Sequence, residues 1–143
     1  MTTTTARYFD EINIGMCGEF NNIVKEEDII QFAEITGDRN PIHLDANYAR
    51  TSIFGQRISH GMLVAGFISA VFGYKFPGPG WIYVSQSLQF KAPVFIGDQT
   101  TTLVTVEKLI PEKKMVKFKT LVSVKEKIVI TGSATLLSPK REN

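Results

Sequence analysis

An α+β fold, an antiparallel sheet wrapped around one long buried helix, is what this 143-residue sequence predicts. Two observations carry that expectation. Residues 62–72, "MLVAGFISAVF", are apolar on every helical face except at Ser69, and a helix of that kind has to be enclosed. From residue 82 onward, apolar residues alternate at period two in four runs, the last three joined by short polar links, the pattern of half-buried antiparallel strands. Chain length agrees, because a single domain spanning residues 1–143 can bury roughly 68% of the surface its unfolded chain exposes.

The first helix is expected over residues 26–36. Ile29, Phe32 and Ala33 fall at i, i+3 and i+4, and Glu26, Glu27 and Asp28 occupy the first turn, where the helix dipole favours anions. Gly37 supplies a left-handed stop and Pro41 is expected to keep the helix from resuming, so residues 37–45, "GDRNPIHLD", are read as loop. Asp45 can cap a second short helix over residues 46–51. The apolar helix comes next, and "PGPG" at residues 77–80 breaks the chain after it.

Ile82, Val84, Leu88 and Phe90 mark one face of the first strand in this half, and Thr102, Val104 and Val106 mark the second. Val116, Phe118, Thr120, Val122 and Val124 mark the third, and Ile128, Ile130, Ala134 and Leu136 the last. The links at residues 111–114 and 125–127 are short, which implies antiparallel neighbours. A sheet can cover the helix from one side only, so a second copy of the chain is expected to complete the cover in a two-fold homodimer.

Composition excludes several classes. Hydrophobic residues are 43% and charged residues 21% of the chain, ordinary globular values that argue against disorder. The net charge of +2 is scattered, so no basic stripe marks a nucleic-acid surface. Cys17 is the only cysteine, which rules out an intrachain disulfide and a thiolate cluster for zinc. The longest apolar run is far short of the roughly 20 residues a membrane helix needs. The N-terminal "MTTTTARYFDEINIG" lacks a charged start and an apolar stretch, so no export leader is expected and a cytoplasmic location is.

The chemistry concentrates in residues 37–45. A carboxylate, Asp38, and an imidazole, His43, stand five residues apart where a turn alone is needed. Together they suit proton transfer at one water: one group removes a proton while the other places a proton on the reacting partner or holds it. Asn40 can fix the segment through a side-chain to backbone bond. A competing reading has Asp38 and Asn40 only turning the chain, with His43 a satisfied buried histidine.

"GDRNPIH", Ala49, and "SHGM" at residues 59–62 opening the apolar helix together resemble the MaoC-like, R-specific enoyl-CoA hydratase family. The likeness extends to Phe32, the "PGPG" breaker and "SLQFKAPVFIGD" at residues 87–98, and so covers nearly the whole chain. One departure is Lys25, where relatives often carry a capping Ser or Thr. The resemblance implies a hot-dog fold, a long helix wrapped by an antiparallel sheet and paired across a dimer. It also implies that Asp38 and His43 are a catalytic dyad for reversible syn addition of water to a trans-2-enoyl thioester of coenzyme A or acyl carrier protein, giving the R-3-hydroxyacyl thioester. Negative charge would develop on the thioester oxygen, and the backbone N–H of Gly61, at the start of the apolar helix, is suited to receive it. Ser69 matches a family serine near the active-site loop, and His60 is read as a structural histidine holding the helix start.

No cofactor and no metal are expected. Two histidines with Asp45 (His43, His60) have the composition of an iron triad, but such ligands are wanted on neighbouring strands, and these lie on loop and helix edge. The remaining rivals are a thioesterase of the same fold and a non-catalytic acyl-thioester-binding subunit. Arg57, Lys75 and Lys91 are candidate contacts for a carrier phosphate.

Overall fold

The computed structural model describes residues 7–141; residues 1–6, part of the stretch read above for an export leader, lie outside them. Strand β1 (Cys17–Ile23) precedes helices α1 (Glu26–Thr36), α2 (Pro41–Leu44), α3 (Ala46–Arg50) and α4 (Gly61–Ala70). Strands β2 (Ile82–Phe90), β3 (Gln99–Ile110), β4 (Met115–Val124) and β5 (Lys127–Leu137) follow. The five strands form one antiparallel sheet in the order β1-β3-β4-β5-β2. The predicted α+β class and both hairpins are therefore present. No helix among the described residues is long and apolar enough to cross a membrane.

Alternation decides which sheet face meets α4. Thr100, Thr102, Val104 and Val106 of β3 and Val116, Phe118, Thr120 and Val122 of β4 are all buried, every second residue along each strand. Val64, Ala65 and Ile68 of α4 join this core, as do Val71 and Phe72 of the wider π-helical turn (Val71–Lys75) that continues the helix. The opposite face of α4 is uncovered: Met62 is 57% exposed, and Gly66, Ser69 and Ala70 are exposed as well. One chain thus encloses only half of a helix whose sequence calls for cover on all sides.

Three local features differ from the sequence reading. Pro41 does not keep residues 37–45 as loop; it opens α2, because its fixed φ suits the first position of a helix and Asn40 caps the turn. Strand β1 has no counterpart in the sequence pattern. Its Gly18, Asn21 and Asn22 are poor strand formers, and it sits at the sheet edge, paired only with β3. A bulge between Tyr83 and Ser85 puts Ile82 opposite Leu137 while Leu88 and Phe90 face Gly132 and Ile130, so Ile82 does not share their face. Gly132 is required there, since a Cβ would run into the Ser87 carbonyl of β2.

Candidate active site

The site grows from the end of α1. Lys25 supplies no side-chain cap at the start of that helix; instead Asp28 accepts from the Lys25 N–H at 3.0 Å. At the other end Gly37 adopts φ 83° and donates its N–H to Ala33 O at 2.9 Å, which turns the chain out of the helix. Thr36 Oγ1 accepts from the Asp38 N–H at 3.1 Å, and Asp38 Oδ1 accepts from the Asn40 N–H at 3.3 Å. Asn40 Oδ1 in turn accepts from the Ile42 N–H at 3.1 Å, the local bond expected of it, and so caps α2. That single turn carries His43 inward to 8% exposure.

Residues 57–60 are stapled to both sides of the site. Arg57 Nε donates to the His43 carbonyl at 2.7 Å, while its other arm pairs with Glu26 at 2.6 Å. The Ile58 N–H donates to Ile42 O at 3.3 Å and the Ser59 N–H to Val94 O at 2.7 Å. His43 Nδ1 lies 2.8 Å from the Ile58 carbonyl. A carbonyl can only accept, so Nδ1 carries the hydrogen and the neutral ring keeps its lone pair on Nε2. His60 stacks on His43 with ring centroids 3.9 Å apart, and its Nε2 is 3.0 Å from the Asp38 carbonyl. Donor atoms of Asp38, His43 and His60 all come within 4.8 Å of one another. Burial, the largest influence, pushes the His43 pKa down; the Ile58 hydrogen bond opposes it, the neighbouring His60 adds to it, and the Asp38 carboxylate opposes it, for a net lowering.

A cavity of about 420 Å³ opens beside these groups. Asp38, His43, His60 and Gly61 line one side, and Phe54, Met62, Phe90 and Ile130 give it an apolar wall. Gly61 begins α4, whose first N–H groups have no partner within the helix. The Phe90 ring packs on Gly61 so closely that an added Cβ would meet it at 2.6 Å. The arrangement can hold a small polar reactant between two acceptors, with a helix N-terminus facing developing negative charge and an apolar wall for a hydrocarbon.

The other residues singled out above fall as follows. Ser69 lies on the exposed face of α4, outside the cavity lining. Asp45 accepts from the N–H groups of Asn47 and Tyr48 at 2.9 and 3.2 Å and caps α3, so the carboxylate grouped with the two histidines is Asp38. Lys91 lines the cavity. Arg57 is held in the frame, and the Lys75 ammonium lies 4.9 Å from the centre of the Phe20 ring. Ile58 was not foreseen. Its contribution is a backbone carbonyl, which leaves no mark on residue type.

A family model described as a MaoC-like domain matches residues 4–128. The (R)-specific enoyl-CoA hydratase of Rhodospirillum rubrum is 52% identical over 94% of this chain and 93% of that protein. The 3-hydroxybutyryl-CoA dehydratase of Methylorubrum extorquens is 44% identical over 94% of this chain and 86% of its own length. Among solved structures, the unliganded R-hydratase PhaJ1 from Pseudomonas aeruginosa superposes with a TM-score of 0.88 at 39% identity, covering 94% of this chain and 86% of that one.

The lowered His43 pKa fixes the sign of a stability effect. The unfolded chain takes the proton at about pH 6.5, where histidine ordinarily titrates, and the folded chain only at lower pH. His43 therefore subtracts nothing above about pH 6.5 and costs stability as pH falls below it. Urea unfolding from about pH 5 to 7.5 should show a steeper rise in stability for the wild type than for His43→Gln; equal slopes would contradict the burial argument.

Proposed function

The chain belongs to the MaoC-like domain family, and on that premise we propose that it reversibly hydrates trans-2-enoyl thioesters to R-3-hydroxyacyl thioesters, as a hydro-lyase. The observation that carries the reading is the convergence of Asp38, His43 and the first turn of α4 on one largely apolar cavity. Relatives that act on coenzyme A thioesters support the same carrier here.

Water sits between the Asp38 carboxylate and His43 Nε2, each accepting one of its hydrogens. Its oxygen attacks C3 of the enoyl group as Asp38 takes a proton. The electron pair of the C2–C3 double bond moves toward the carbonyl, and the charge that builds on the thioester oxygen is met by the Gly61 N–H and the α4 dipole. Asp38 then returns the proton to C2 from the same side. One water has been added, no net charge has moved, and the addition is syn. His43 accepts because its Nδ1 hydrogen is committed to Ile58. Water, acid and base all come from the chain and solvent, so neither metal nor cofactor enters a step.

A second copy over the uncovered face of α4 completes this reading, since Met62 belongs both to that face and to the cavity. The assembly is a homodimer. Sedimentation at low micromolar concentration should give a dimer, and a stable folded monomer would contradict it.

Loss of crotonyl-CoA absorbance tests the activity, with free thiol release separating hydration from thioester hydrolysis. Asp38→Asn and His43→Gln preserve size and polarity while removing the carboxylate base and the imidazole lone pair. Each should lower kcat about 10² to 10⁴-fold, or about 3 to 5 kcal/mol of barrier, with KM changed only a few-fold. The double variant should be little worse than the worse single one, because both groups act on one water. Near wild-type rates in both single variants would remove the reading.

A further inference from the structure

The mechanism above makes no use of His60, which is almost fully buried, at 1% exposure. Its Nε2 lies 3.0 Å from the Asp38 carbonyl and must carry the hydrogen, because that oxygen can only accept. Its Nδ1 is buried without a hydrogen-bond partner. A hydrogen on that nitrogen would meet no acceptor, so the tautomer that fits the site carries its hydrogen on Nε2. The ring lies between Phe32 of α1, at 4.7 Å between centroids, and His43 of α2, at 3.9 Å.

Two simpler roles fail to account for an imidazole at this place. Filling the space between Phe32 and His43 is a task a phenyl ring performs equally well, without a buried unpaired nitrogen. Capping α4 is not performed, since His60 makes no side-chain bond to the helix it precedes. What histidine adds over phenylalanine is one N–H, and that N–H goes to Asp38. Among the described residues, every other hydrogen bond of Asp38 is to a residue two positions away, Thr36 or Asn40. The bond from His60 is the one that ties Asp38 to the body of the fold, at the residue next to Gly61.

Resting on the hydratase reading, we propose that His60 is a positioning residue: its Nε2–H fixes the Asp38 backbone against the start of α4, so that carboxylate, imidazole and Gly61 N–H keep one spacing around the water. The ring's contact with His43 sets the second edge of the same triangle. Catalysis is sensitive to such placement, with displacements of about 1 Å lowering rates on the order of a hundredfold.

Two substitutions separate the donor from the ring. His60→Phe keeps the stacking ring and removes the N–H; His60→Gln gives up the ring but carries an amide N–H at a reach close to that of Nε2. Crotonyl-CoA kinetics on the folded full chain should show kcat lowered roughly ten- to a hundredfold in His60→Phe with KM within a few-fold, and most of that loss restored in His60→Gln. Amide hydrogen exchange gives a readout apart from activity: the Asn40 N–H, which bonds Asp38 Oδ1, should exchange faster in His60→Phe than in wild type or His60→Gln. Wild-type kcat in His60→Phe, equal impairment in both variants, or unchanged Asn40 exchange in His60→Phe would each overturn the proposal. Absence of hydration in the wild type would instead overturn the hydratase reading, while the exchange comparison would still decide whether His60 holds Asp38.

Discussion

Burial of α4 against one face of the sheet is the constraint on which the site depends. The helix presents Val64, Ala65 and Ile68 to β3 and β4, and this contact fixes where its first turn ends. Gly61 is consequently held at the wall of the cavity, with the Phe90 ring of β2 packed on its Cα and no room for a side chain. The same packing leaves Met62, Gly66, Ser69 and Ala70 uncovered, so the element that organises the site also carries the surface that a second copy would cover.

The reactive groups are placed by backbone more than by one another. Gly37 turns the chain out of α1, Asn40 caps α2, and Ile58 takes the Nδ1 hydrogen of His43. Arg57 reinforces this by bonding the His43 carbonyl and pairing with Glu26 at the start of α1. Burial lowers the His43 pKa and the Nδ1 bond to Ile58 leaves its lone pair on Nε2, which suits it to the acceptor role in the proposed reaction. The two imidazoles lie 3.9 Å apart between ring centroids, and each has one ring nitrogen bonded to a main-chain carbonyl, His43 to that of Ile58 and His60 to that of Asp38.

Periodicity made most of this architecture legible. Three apolar positions and an acidic first turn predict a helix over residues 26–36, and α1 has those bounds. Alternation in β3 and β4 identified the buried face directly, since every expected inward residue from Thr102 to Val122 is buried. The motif at residues 37–45 pointed to Asp38 and His43, and the chain brings both to one cavity. What escaped was set by contacts distant in sequence or by backbone groups. Strand β1 is made by pairing with β3, not by its own residues. The bulge that separates Ile82 from Leu88 belongs to the register with β5. Pro41 opens α2 where a breaker is expected, because proline directly after a capping residue, here Asn40, suits the first helical position. The pairing of His60 with Asp38, 22 residues away, has no counterpart in local pattern.

The central claim is that one water, held between Asp38 and His43, supplies both the hydroxyl at C3 and the hydrogen at C2 from the same side of the double bond. Hydration of crotonyl-CoA in deuterium oxide tests this most directly, with the relative configuration at C2 and C3 of the product read by proton NMR. The account predicts a single diastereomer with deuterium and hydroxyl added to the same face. A product of anti addition, or a mixture of both diastereomers formed at the initial rate, would contradict it.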